Sequence, residues 1–136
     1  MIVIPISPVG KGRPRFRRIR NFVQTYTDKK TQEYEKTIAK EYIRLGGKHH
    51  RELPIALTVC AWFEIPKSWS KTKRDSALRG ELNHTIRVDC DNIVKAVQDA
   101  LNGVAYVDDK QIVRVYCSKQ YGGSSELHID ISPMTA

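Results

Sequence analysis

Nine residues in the middle of the chain, Ile55-Ala56-Leu57-Thr58-Val59-Cys60-Ala61-Trp62-Phe63, are apolar or β-branched almost without a break, and the run stops at Pro66. A segment this short and this apolar reads as a strand covered on at least one face, hence a central one. It dictates that the rest of the chain supply both a sheet around it and a layer over it.

Two helical patterns can supply that layer. The first opens at Thr27-Asp28, runs to about Leu45 with a stripe of Tyr34, Ile38, Tyr42 and Leu45, and stops at Gly46-Gly47. The second runs from about Asn92 to Leu101, with Ile93, Val97, Ala100, Leu101 and Val104 recurring at helical spacing and Asn102-Gly103 as its stop. Residues 2–6 read as a strand interrupted by Pro5, hence an edge or irregular one. Gln111 to Lys119 reads as a strand. Leu127, Ile129 and Ile131 alternate with His128 and Asp130, and the turn Gly122-Gly123-Ser124-Ser125 between them predicts a β-hairpin. The expectation is an α/β (α+β) fold: a small mixed β-sheet with helices packed on it, in one domain spanning residues 1–136.

At 136 residues, 40% apolar and 28% charged, the chain fits a soluble globular domain, with no apolar run of membrane-spanning length. The start, Met1 to Ile6, lacks the basic lead and length of a secretory signal, so a cytoplasmic location is expected. Cys60, Cys90 and Cys117 are odd in number and widely spaced; three buried thiols in a reducing compartment are expected, not a zinc site.

The net charge of +8 is unevenly placed: residues 1–87 hold 19 Lys/Arg against 8 Asp/Glu, and residues 88–136 hold 4 against 7. Lys11-Gly12-Arg13-Pro14-Arg15-Phe16-Arg17-Arg18-Ile19-Arg20 carries five arginines and a lysine, and its glycines and proline argue against a regular helix. It reads as a loop with Phe16, Ile19 and Phe22 as anchors and its guanidiniums facing phosphates, or as a solvated basic loop. A second basic stretch holds Lys71, Lys73 and Arg74; Ser68 or Ser70 can cap a short helix there reaching Leu78, with Trp69 docking it or meeting a substrate. Basic surface attracts a polyanion, and a compact acidic patch within it is what a metal-dependent enzyme acting on that polyanion needs.

That patch is Val88-Asp89-Cys90-Asp91-Asn92-Ile93-Val94-Lys95, continued by Asp99 and closed by Asp108-Asp109. Thr85 to Val88 reads as an extended approach to it. Asp91, Lys95 and Asp99 follow four apart on one polar helix face. Two carboxylates about 5 Å apart repel by roughly 3 kcal/mol at an effective dielectric of 20. That cost falls if both are solvated or if a cation lies between them. Hard oxygen donors suit Mg²⁺ or Mn²⁺; equally, Asp89 or Asp91 can cap the helix from a solvated turn. An EF-hand is excluded, because Ile93 and Val94 fall where an oxygen ligand and Gly are required.

The run Arg87 to Lys95, followed by Asp99-Ala100-Leu101-Asn102-Gly103 and Asp108-Asp109-Lys110-Gln111-Ile112, resembles the RusA family of Holliday junction resolvases. Gly10-Lys11-Gly12-Arg13-Pro14-Arg15, Tyr26-Thr27 and Pro66-Lys67-Ser68-Trp69-Ser70 extend the likeness over nearly the whole chain, toward the branch found in bacteria and their prophages. Val88 departs from relatives that often carry Pro there. The resemblance implies a homodimeric endodeoxyribonuclease that nicks four-way junctions symmetrically with Mg²⁺ or Mn²⁺, and it calls for no nucleotide cofactor and no membrane. It places the essential carboxylates on Asp89, Asp91 and Asp109 and the essential lysine on Lys95, with Asp99 and Asp108 as additional acidic positions. Lys11, Arg13, Arg15, Arg17, Arg18, Lys71, Lys73 and Arg74 are expected to hold the DNA arms. The rival readings are a non-catalytic DNA-structure-binding protein, a nuclease preferring flaps, single strands or RNA, and a regulator that binds a protein partner.

Overall fold

A computed structural model describes residues 1–10, 15–26 and 28–134. The elements are β1 (Ile2–Ile4), β2 (Arg15–Ile19), β3 (Phe22–Tyr26), α1 (Lys29–Arg44), β4 (Ile55–Glu64), α2 (Lys71–Leu78), α3 (Cys90–Leu101), a 3₁₀ turn (Asp109–Gln111), β5 (Ile112–Gly122) and β6 (Glu126–Pro133). Four strands form a mixed sheet in the order β1-β6-β4-β5, and β2 with β3 forms a separate two-stranded sheet. The expected α+β architecture is the one observed.

The apolar run at residues 55–63 is β4, and it is interior. Ile55, Leu57, Val59 and Ala61 are buried, while the intervening Ala56, Thr58, Cys60 and Trp62 are partly exposed on the other face. The buried face shares one core with Ile38 and Tyr42 of α1, Ile93, Val97 and Leu101 of α3, and Leu127 and Ile129 of β6. The helical stripes seen in the sequence thus meet the period-2 face of the sheet, the arrangement that buries both. β1 is at the sheet edge, where a strand ending at Pro5 is tolerated.

The expected hairpin between β5 and β6 is not formed. β4 lies between them, parallel to β5 and antiparallel to β6. The short connection crosses the end of β4, where the Ile65 amide donates to the Gly122 carbonyl (3.2 Å) and the Glu64 amide to Ser125 Oγ (3.1 Å). Three linking residues can bridge two strand spacings, about 10 Å. A parallel β4–β5 pair needs a long crossover, and residues 65–111 provide it with α2, α3 and the acidic stretch.

Three further expectations are corrected. The first basic stretch contains the β2–β3 hairpin rather than a plain loop, and Phe16 and Phe22 are exposed rather than anchored. The approach from Thr85 to Val88 is irregular, with bends at Ile86 and Arg87. Cys60, Cys90 and Cys117 are free and partly exposed, not buried: Cys60 lies on the face of β4 opposite the buried one, and Cys90 opens α3. Among the described residues no helix is long and apolar enough to cross a membrane.

Candidate active site

α3 presents the acidic stretch. Its N-cap is Asp89, with extended backbone (φ −71°, ψ 146°), and helical geometry starts at Cys90, two residues earlier than the apolar spacing suggests. The Asp89 side chain accepts no capping hydrogen bond among the described residues, and Asp91 sits in the first turn, exposed. The capping alternative for Asp89 is therefore not realised. Elsewhere the same residue type does cap: Asp28 accepts from the Thr31 amide at 2.8 Å and starts α1. Both carboxylates at α3 lie where its helix dipole favours negative charge.

Lys95 lies one turn beyond Asp91, and its ammonium pairs with Asp99 at 3.3 Å along the same exposed face. From Asp89 to Asp99 the helix rises about 15 Å, so Lys95 stands midway between two acidic zones.

The second zone forms around the turn after α3. Asp108 caps the 3₁₀ turn, its Oδ1 accepting from the Lys110 amide at 2.9 Å. That amide, and secondarily a hydrogen bond with the Asp109 side chain, holds the Asp108 carboxyl below its ordinary pKa. Asp108 is thus occupied with local structure. Tyr106 is fully buried and donates to the Gln98 carbonyl at 2.6 Å. Burial pushes its phenol pKa up, and the nearby charges of Asp109 and Asp99 add to that rise. Both carboxylates thus act on the same phenol, one from the turn and one from α3.

A residue not singled out in the sequence holds this turn. Gln111 is buried; its Oε1 accepts from the Val107 and Asp108 amides (2.8 and 3.0 Å), and its Nε2 donates to the carbonyls of Arg51 and Leu53 (2.5 and 2.9 Å). All its bonds lock Asp108-Asp109 against the connector before β4. The signal was present as Asp108-x-x-Gln111, a capping-box pattern.

The Asp89 zone is held by β5. His84 stacks on Phe63 (centroids 3.8 Å apart, planes 13°) and lies 4.9 Å from the Tyr121 ring. Lys119 Nζ donates to the Ile86 carbonyl at 2.8 Å, and Cys117 Sγ approaches the Cys90 carbonyl at 3.9 Å. Tyr121, Lys119 and Cys117 alternate along one strand face, so the irregular segment leading to Asp89 is tied to β5 at successive steps. Burial and its neighbours push the Cys117 thiol up to about 12, which keeps it a thiol rather than a nucleophile.

From the other side the N-terminal arm presses on the same turn. A Cβ on Gly10 would lie 2.6 Å from Val88 Cγ1 and 2.9 Å from Asn92 Cβ, so only glycine lets the arm pass so close. The Val9 amide donates to the Tyr34 hydroxyl at 3.0 Å, fixing the arm to α1 as well.

Of the expected DNA-holding residues, Lys11 and Arg13 lie outside the described residues, as does Thr27, and Arg15 is described only in its backbone. Arg17 and Arg18 are exposed on β2. Ser70 caps α2 as expected, accepting from the Lys73 amide. Lys71 and Lys73 are exposed on α2, with Lys73 Nζ 3.9 Å above the Trp69 ring, and Arg74 is half-buried. Trp69 docks edge-on to Tyr121 at 5.1 Å, the docking role foreseen for it. Among the described residues no three His, Cys, Asp or Glu side chains are gathered as ligands for one ion.

The model of the family described as endodeoxyribonuclease RusA matches residues 5–132. The chain is also 35% identical over 137 residues to the uncharacterized protein YqaN of Bacillus subtilis (strain 168), covering 96% of this chain and 93% of that protein. The protein belongs to the RusA endodeoxyribonuclease family. Membership implies a nuclease acting on Holliday junction DNA.

Proposed function

We propose that this chain resolves four-way DNA junctions by metal-dependent hydrolysis, with Asp89, Asp91 and Asp109, which are not gathered around one point before an ion is bound, as the metal ligands and Lys95 beside them. The observation that carries this reading is Asp89: it occupies a helix N-cap, yet its carboxylate is not committed to capping. Asp91 is exposed one turn-position on, and Asp109 is the partner in its pair that does not cap the 3₁₀ turn. Hard, solvent-facing carboxylates at a helix N-terminus fit Mg²⁺ or Mn²⁺ in donor chemistry.

When bound, the ion supplies activation of a water and neutralisation of charge on the phosphoryl oxygens. The chain's own groups do the rest. Asp89 and Asp91 come from the rigid start of α3, and Asp109 from the Gln111-locked turn, so their backbones are fixed before substrate arrives. Lys95 releases Asp99 and meets a non-bridging phosphate oxygen, stabilising developing charge. Arg13, Arg15, Arg17 and Arg18, with Lys71, Lys73 and Arg74, hold the arms through phosphate contacts that are salt-dependent and sequence-independent. The products are a 5′-phosphate and a 3′-hydroxyl. A homodimer presents two sites to the two symmetry-related strands of a junction.

The test is cleavage of a synthetic mobile-core four-way junction in Mg²⁺, beside linear duplex, flap and single-stranded DNA. Paired nicks in the junction alone support resolution. Equal cutting of all four substrates means a general nuclease. Binding without cutting in Mg²⁺ and Mn²⁺ means a binding module.

A further inference from the structure

The β2–β3 hairpin leaves apolar side chains exposed among the described residues. Phe16 is 68% exposed, Ile19 47%, Phe22 74% and Val23 68%. Removing such side chains from water is favourable, so this concentration marks a surface that meets something. The hairpin is a two-stranded sheet of its own, and each five-residue strand extends about 17 Å. Ile19 and Phe22 pair directly across the two-residue turn Arg20-Asn21, on one face at its tip. Arg20 takes φ +56°, which closes the turn tightly. Two residues back, on the same face, Arg17 Nε donates to Gln24 Oε1 at 3.0 Å.

Charge selects the occupant. Residues 15–26 contain four arginines and no acidic residue. A second copy of the hairpin would bring the same four charges, whereas a polyanion is attracted. The occupant must also offer flat apolar surface to the tip. Nucleic-acid bases beside phosphates satisfy both demands, and apolar side chains flanked by arginines are the usual means of entering a base stack. The hairpin is rooted beside the acidic turn, since the chain departs at Gly10, packed on Asn92, and returns at Asp28, the cap of α1.

We propose that the hairpin is a wedge, with Ile19 and Phe22 entering the branch point of the junction and unstacking its base pairs while the arginines hold the flanking phosphates. This rests on the junction-resolving reading above and goes beyond it by naming how the branch point is opened.

The test uses the full chain and a four-way junction carrying 2-aminopurine at the branch point or within an arm, in EDTA. Binding is followed by anisotropy of an arm label. Wild-type protein is expected to raise branch-point fluorescence several-fold and arm fluorescence hardly at all. An Ile19→Ser, Phe22→Ser double variant is expected to lose that rise at saturation with Kd changed less than about 5-fold. Arg17→Gln with Arg18→Gln is expected to weaken binding about tenfold or more yet keep the rise at saturation. Both pairs are exposed and outside the core, and thermal melting checks that folding is retained. A tip variant that keeps the full rise overturns the wedge, as does one that turns a dimer into a monomer by sedimentation, which would assign the tip to a second copy. A wild-type protein that cuts junctions without a tip-dependent rise overturns the wedge alone; one that neither binds nor cuts them overturns the nuclease reading as well.

Discussion

Gly10 lies against Asn92 so closely that a single methyl group on it would sit 2.9 Å from Asn92 Cβ, and 2.6 Å from Val88 Cγ1. The N-terminal arm and the first turn of α3, about 80 residues apart in sequence, are thereby in direct contact. Val88 is part of the surface on which the arm rests.

This contact predicts the behaviour of Gly10→Ala. The methyl group must push the arm away from α3, and displacement of about 1 Å near a reacting centre can cost up to 100-fold in rate. Single-turnover junction cleavage is expected to fall about 10- to 100-fold, with thermal stability changed little because the arm lies outside the core. Unchanged cleavage would mean that the arm does not help to build the site.

Gln111→Leu should be among the more destabilising single changes near the site. It leaves the Val107 and Asp108 amides and two carbonyls without their partner. A loss of about 2–4 kcal/mol is expected at this rate per buried group, seen as a lowered urea midpoint with the slope retained. A loss below about 0.5 kcal/mol would show that the turn satisfies itself in another way.

Much of this frame was legible in the sequence, because hydrophobic spacing dictates it: β4, the stripes of α1 and α3, and the edge position of β1 all follow from period and punctuation. The β5–β6 pairing was not. A short Gly-Ser connection between two alternating strands normally means a hairpin, and nothing local reveals that β4 offers both of them a longer partner. Phe16 and Phe22 misled for the reverse reason, since exposure is decided by what the rest of the chain fails to cover. At the site, Asp89, Asp91 and Lys95 were visible as a motif. The capping pattern of Asp108 and Gln111 was legible too, but the reach of the Gln111 amide to Arg51 and Leu53, 60 and 58 residues away, has no local signal.

His84 makes stability depend on pH. Burial, and secondarily the Lys119 charge, holds its pKa below the ordinary value of 6.5. Between the two values the unfolded chain binds more protons, so stability is complete above about pH 6.5 and falls as the pH drops toward the folded pKa. His50 is shifted in the same direction, again first by burial. His84→Gln should therefore reduce, without abolishing, the loss of urea stability between pH 7.5 and 5.5. Parallel pH profiles for the two proteins would contradict this.

On the proposed reading, the carboxylates of α3 serve the cutting rather than the holding of DNA. Asp91→Asn separates the two roles when junction binding and junction cleavage are both measured across a Mg²⁺ titration. Cleavage is expected to be lost at every Mg²⁺ concentration, with binding retained or tightened as a negative charge near the phosphates is removed. Binding lost together with cleavage in a variant that still folds, or cleavage retained, would contradict it.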